Sequence, residues 1–204
     1  MTRVLSDPQL RRRVGLLLLM SLSSVVGWWS VSTWIPQYVA ELATSAGGRS
    51  QHWASLAGLI YNAGAIAGYL ALGWSADTFG RKPTIWLYYL GALGLSLCLF
   101  LLVHNIGALL LMAAANGFFT NGQFAWMTIY LPELFPTQVR GSAMCLVFDG
   151  SRGIAALGPL LAGWLISAFG GIGIAAAIMS LVYVMGLVIT PFAGPETKGK
   201  PLPA

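Results

Sequence analysis

The residues of this chain that can do chemistry are few, and the two most telling stand three positions apart. Asp149 and Arg152 lie inside a long apolar stretch, about 7 and 10 residues from its start. At ~1.5 Å per helical residue this places them roughly 10–15 Å deep. A charge at the centre of a membrane helix costs about 2.5–3.5 kcal/mol on insertion scales, so two of them need a reason. Their i, i+3 spacing puts them on one helix face, where they can pair and lower the joint cost. The same face, lining a water-filled cavity, would offer Arg152 to a substrate carboxylate and Asp149 to its own protonation. Burial favours that protonation and Arg152 opposes it. On the residues alone both readings stay open.

The other polar groups in apolar surroundings are Gln37 (beside the helix-breaking Pro36), Asn62, Asn116, Thr120, Asn121 and Gln123. Asn116, Thr120 and Gln123 share a helical face and can offer hydrogen bonds to a polar substrate, while Asn121 points elsewhere. Bonding between helices is an equal use for each of them. Trp28, Trp29, Trp34, Tyr61 and Trp126 can wall a cavity, although Trp34 and Trp126 lie near span ends, where interface anchoring is ordinary. Gly64-x-x-x-Gly68 marks a close helix contact. His52 and His104 are expected in outer loops. Cys98 and Cys145 lack metal or CxxC spacing and read as small buried hydrophobes. Neither a phosphate loop nor a catalytic triad is visible, so no enzyme chemistry and no cofactor is expected.

The elements that must position these residues follow from composition. Of 204 residues, 57% are hydrophobic and only 8% charged, against ~25% charged in ordinary soluble domains. So little charge cannot cover a water-soluble globule, and no basic stripe suited to nucleic acid is present. A membrane helix takes roughly 20 residues, so the length fits about six spans. They are expected near Val14–Val39, Trp53–Ser75, Thr84–Val103, Ala108–Tyr130, Ser142–Phe169 and Ile172–Ala193. Residues 1–13 form a basic N-terminal segment and 194–204 a tail. The runs are twice the length of barrel strands and do not alternate, so they are helices.

Charge sets the orientation. Arg3, Arg11, Arg12, Arg13, Arg81, Lys82, Arg140, Lys198 and Lys200 fall on one side if the helices alternate; Arg49 is on the other and Arg152 is within a span. The positive-inside rule then places both termini in the cytoplasm of a multi-pass cell-membrane protein. A cleavable signal peptide is the weaker reading of residues 11–27, because Trp28 and Trp29 follow and no small-x-small site is evident.

Three loops on the basic side carry motifs. The first runs from Gly73 through Asp77 to Gly80-Arg81-Lys82-Pro83. In it Gly73 is expected to let helix ends approach, Gly80 to make a tight turn, and Asp77 to sit on a helix N-terminus or accept from arginine. Arg81 and Lys82 can reach carboxylates on neighbouring helix ends. This run resembles the loop between the second and third helices of each half of the major facilitator superfamily. Tyr130-Leu-Pro-Glu133-Leu-Phe-Pro-Thr-Gln-Val-Arg140-Gly resembles that family's loop between the fourth and fifth helices. Pro195-Glu196-Thr-Lys-Gly199 is similar to the PETKG sequence after the last helix of sugar-porter-like members.

The resemblance covers nearly the whole chain and implies an all-α membrane protein: six transmembrane helices making one half, the second, of a major facilitator fold. It implies that Asp77, Arg81, Glu133, Arg140 and Glu196 form ion pairs and helix-dipole contacts that part during alternating access, each rim pair worth ~0–1 kcal/mol. Asp149-Gly-Ser-Arg152 departs from the N-x-G-R-like sequence of organic-acid symporters by placing Asp where Asn is usual. The function so implied is secondary, proton-coupled transport of a small organic acid, with sugar:proton symport as the alternative suggested by PETKG. A membrane protein that binds a partner without transporting is the rival of another class. Partners would be the substrate, protons, the bilayer, and either a missing N-terminal half or a second copy.

Overall fold

The computed structural model describes residues 7–45 and 47–203, the side chain of Pro159 excepted. Met1–Ser6, with Arg3 of the basic segment, lie outside the described residues. Those described are helical without any strand. Helix α1 spans Pro8–Ser45, α2 Ser50–Phe79, α3 Arg81–Leu102, α4 Ile106–Gly122, α5 Ala125–Glu133, α6 Thr137–Ala155, α7 Gly158–Phe169, α8 Ile172–Ser180 and α9 Val182–Ile189, followed by a 3₁₀ turn at Thr190–Phe192. Arg11–Arg13 therefore continue the first span as helix.

Four helical runs are long and apolar enough to cross a membrane: α1, α2, α3 and Ile172–Phe192. The pair α6 and Leu160–Phe169, bent by 42°, makes a fifth if counted as one broken span. Ala108–Tyr130, read from sequence as one span, is occupied by α4 and α5, which meet at Gln123 and Phe124. There the backbone tightens to i→i−3 bonds, Phe124 N to Asn121 O (2.9 Å) and Trp126 N to Gln123 O (3.0 Å). The fifth predicted stretch breaks where Gly158-Pro159 follows α6, because proline cannot donate to the preceding turn.

Helix α1 is the most buried of the spans and touches α2, α4, α6, α7, α8 and α9. Serines make this central position possible. Ser21 bonds Ser151 of α6 at 2.7 Å, Ser23 donates to Val182 O at 2.7 Å, and Ser24 bonds Tyr89 of α3 at 2.6 Å. Trp126 Nε1 joins the last group by donating to Ser24 at 3.2 Å. With lipid outside, such bonds and close packing, rather than a hydrophobic drive, hold helices together.

The closest packing is between α2 and α4. A Cβ on Gly64 or Gly68 would overlap the backbone of Ala114 or Phe118, and one on Gly117 the backbone of Tyr61. The Gly64-x-x-x-Gly68 contact expected from sequence is thus present. Gly73 is different: among the described residues nothing lies within 4 Å of a Cβ built there, so the helix approach expected at Gly73 is not made within this chain. Two cysteine expectations also divide, since Cys98 is half-buried but Cys145 is exposed.

We expect Gly68→Val to cost ~1–3 kcal/mol or more through overpacking, and Gly73→Ala to leave stability unchanged or slightly raised. Thermal unfolding of the two variants in detergent, followed by tryptophan fluorescence, checks this difference.

Candidate functional site

The loop joining α2 and α3 is a single residue, so the negative end of one helix dipole adjoins the positive end of the next. Gly80 makes the reversal at φ 106°, in the left-handed region that favours glycine. A Cβ there would also stand 3.1 Å from an oxygen of Glu196. That carboxylate closes the start of α3, taking the N–H of Arg81 at 2.9 Å on Oε1 and that of Lys82 at 3.0 Å on Oε2. Pro83 has no N–H to satisfy. Thr197 and Lys198 add backbone bonds to Oε1, each 3.0 Å. Glu196 is thus an N-cap delivered from the tail 115 residues away. Burial pushes its carboxyl pKa up, but the four backbone donors outweigh that and hold it below the ordinary carboxylate value.

The end of α2 receives the opposite charge. Arg81 Nη1 donates at 3.0 Å to Ala76 O, which also takes the Gly80 N–H at 3.1 Å, and Lys198 Nζ donates to Thr78 O at 2.7 Å, a carbonyl of the last helical turn. Arg81 also grips Glu133, at the end of α5, through Nε (3.1 Å to Oε2) and Nη2 (2.9 Å to Oε1). Thr197 Oγ1 donates to the same carboxylate. Asp77 accepts from Arg81 at 2.7 Å. One guanidinium therefore ties α2, α3 and α5 together, with the tail beside it.

These pairs are unequal. The Arg81 and Glu133 side chains are 12% and 16% exposed, whereas Asp77 is 74% exposed. A uniform set of weak rim pairs was expected, but Arg81–Glu133 is largely withdrawn from water, so losing one partner strands a charge. Two further expectations change. Lys82 reaches the carbonyls of Pro191 (2.6 Å) and Gly194 (2.9 Å) instead of a carboxylate. Arg140 makes no ion pair among the described residues; it donates to Pro132 O, Phe135 O and Pro203 O, closing the α5–α6 loop on the tail. Sequence reading missed Arg13, whose Nη1 bonds Leu134 O at 3.0 Å, and Tyr130, whose hydroxyl bonds Pro195 O at 2.9 Å.

Asp149 and Arg152 lie on the open side of α6, 65% and 56% exposed, with Nη1 and Oδ1 3.9 Å apart. At that distance the pair is loose, and Asp149 accepts from Cys145 Sγ at 3.2 Å. Arg152 sits 4.1 Å over the Phe148 ring. It occupies the last turn of α6, roughly 22 Å from that helix's start at ~1.5 Å per residue. A cation is favoured at that end by the free carbonyls. Gly158-Pro159, which ends α6, was the signal that would have shown this.

Arg152 also lines a cavity of about 540 Å³ between α1 and α6–α7, with Trp29, Ser30, Thr33 and Trp34 on the opposite wall. Trp29 is exposed, and Trp28 packs edge-on against it and against Phe124. Gln37 and Asn62 are exposed as well, though Asn62 donates to Gly58 O of its own helix at 2.7 Å.

Asn116 and Thr120 are not presented to a cavity. Both are buried: Asn116 bonds Ser96 at 2.9 Å, and Thr120 bonds Tyr61 at 2.8 Å and Asn116 O at 2.8 Å. Of the two uses the sequence left equally open for them, the bonds made are those between α2, α3 and α4. Gln123 is buried too, and neither atom of its amide has a partner among the described residues. Trp34 and Trp126 are buried rather than at an interface. His52 and His104 are exposed, and no cluster suited to a metal occurs among the described residues.

Glu133→Ala should cost ~3–5 kcal/mol and Asp77→Ala under ~1 kcal/mol, read as shifts in unfolding free energy. The depressed pKa of Glu196 has its own consequence. Its stabilisation is present in full above the ordinary carboxylate value and is lost as the pH falls through the depressed one. Melting temperatures measured from pH 7 downward should therefore drop below pH ~4.5 in the native chain, and less so in Glu196→Gln.

A metabolite transport protein of Haemophilus influenzae is 28% identical over 93% of this chain. A cis,cis-muconate transport protein of Acinetobacter baylyi is 30% identical over 80% of it, and a proline/betaine transporter of Salmonella typhimurium 27% over 87%. The chain spans 45%, 38% and 35% of those proteins' lengths. Residues 17–203 match the Major Facilitator Superfamily. These are transporters rather than enzymes. An all-α, multi-pass membrane chain whose helices make one half of that fold, it belongs to the major facilitator superfamily.

Proposed function

We propose that this chain forms the second half of an alternating-access carrier for a small organic acid, driven by protons, with both termini in the cytoplasm. The observation that carries the reading is Arg152 in the wall of the cavity, opposite Trp29 and Trp34. A guanidinium facing an aromatic wall suits a carboxylate on an apolar body. Phe148 holds the guanidinium by a cation–π contact when no carboxylate is present. The relatives named for muconate and for proline and betaine support the preference, since these compounds all carry a carboxylate and a sugar does not.

Asp149 is the proposed proton carrier, since an intramembrane carboxylate beside Arg152, the cation proposed to hold the substrate, links protonation to binding. Gln123, with an unspent buried amide, is the proposed polar contact of the inner path, and Gln37, Asn62 and Trp28 belong to the surface facing the other half. That half is a separate segment of similar fold or a second copy of this chain. The rim latch is the proposed gate. When the rim is closed Glu196, Arg81 and Glu133 are joined; opening toward the cytoplasm parts them. Asp77, exposed and weakly paired, is the part that water reaches first.

Uptake into proteoliposomes holding the active assembly, under an imposed pH gradient, tests this reading. Arg152→Ala should lower uptake of a carboxylic acid more than about thirtyfold, with Arg152→Lys between the two. Asp149→Asn should abolish gradient-driven accumulation while sparing exchange of labelled for unlabelled acid. Unchanged acid uptake in Arg152→Ala, or uptake of sugars alone, rejects the organic-acid reading.

A further inference from the structure

We propose that a second cavity, where α1 enters the membrane, binds the headgroup of an anionic glycerophospholipid. This cavity of about 400 Å³ lies between the first turns of α1 and the segment after α9. Gln9, Arg12 and Arg13 form one side, and at i, i+3 and i+4 they share a helix face. Leu16, one turn further into the apolar run, continues that side, and Phe192 stands across from it, 68% exposed. The lining thus changes from two guanidiniums and an amide to hydrocarbon within one helical turn. That is the order in which a phospholipid presents its phosphate and its acyl chains.

The electrostatics suit a phosphate. Arg12 is exposed, and Arg13 spends one N–H on Leu134 O, keeping the rest of its fork. The neighbouring carboxylates are engaged elsewhere: Asp7 accepts from the backbone N–H of Gln9, Glu133 from Arg81, and Glu196 from the backbone of α3. On the far wall the carbonyl of Gly194 already accepts from Lys82 Nζ, so a cation behind the wall offsets the repulsion of that carbonyl. The volume falls within the ~300–1,000 Å³ range of small-molecule sites. A bare phosphate ion would satisfy the arginines but leave Leu16 and Phe192 without a use, so the lipid is the occupant the lining describes. Binding there would also reach the latch, because Arg13 is tied to the residue that follows Glu133.

Native mass spectrometry of the purified, delipidated chain in detergent tests the site, with dioleoyl phosphatidylglycerol, dioleoyl phosphatidylcholine and inorganic phosphate as probes. Phosphatidylglycerol should bind about fivefold more tightly than phosphatidylcholine, and Arg12→Gln should remove about that advantage. Arg11→Gln, whose residue does not line the cavity, should keep it. Leu16→Ser should weaken both lipids together, and millimolar phosphate should leave the lipid bound. Equal binding of the two lipids overturns the proposal, a result that needs no variant. Equal losses in Arg11→Gln and Arg12→Gln overturn it in favour of a diffuse basic rim, and displacement by phosphate overturns it in favour of a bare anion site.

Discussion

The arrangement depends on what happens at one residue, Gly80, where the C-terminal end of one membrane helix meets the N-terminal end of the next. Each helix end leaves backbone groups that cannot go unpaired near a bilayer. The end of α2 needs donors and the start of α3 needs acceptors, within a few ångströms of each other. Arg81 and Lys198 supply the first, and Glu196 the second. Since Glu196 and Lys198 come from the tail, the last residues of the chain complete a turn made between its second and third helices. Once Arg81 is fixed this way its remaining donors point to Glu133, and α5 is drawn to the same place.

The gate proposed for this cluster would need contacts that hold one state without making the other inaccessible. Four backbone bonds to one carboxylate are each modest, and the exposed Asp77 pair adds little. The Arg81–Glu133 pair is the exception, because it is mostly shielded from water. On the proposed gating role, parting it would be tolerable only if both charges were rehydrated as they separate, so that entry of water at this rim and its opening would be one event. At the other end of α6 the balance is reversed. Arg152 and Asp149 are exposed and barely paired, so their binding capacity is left for something else to use.

Much of this was legible in the sequence because membrane helices obey strong constraints. Length and low charge pointed to the helical class, and Gly64 and Gly68 announced a close helix contact, though not its partner α4. The charged loops were visible because Asp77, Arg81, Glu133 and Glu196 interrupt apolar runs at turns. Geometry was harder to read. No spacing rule distinguishes Lys82 reaching carbonyls from Lys82 reaching a carboxylate, and Gly73 looks like a packing glycine although no described residue stands against it. Asn116 and Thr120 share a face with Gln123, yet periodicity does not say which way that face turns, and it turns inward. The break before Gly158-Pro159 was written in the sequence, but a uniformly apolar stretch hid it, and with it the position of Arg152 at a helix end.

The central claim is that the Glu196 carboxylate, carried by the tail, caps α3 and thereby holds the rim together. Hydrogen exchange of the Arg81 and Lys82 amides, resolved by mass spectrometry on the chain in lipid nanodiscs, reads that bond directly. In Glu196→Ala both amides should exchange about fivefold faster or more, while the middle of α3 is unaffected. Exchange at Arg81 and Lys82 that is the same in Glu196→Ala as in the native chain would contradict the account.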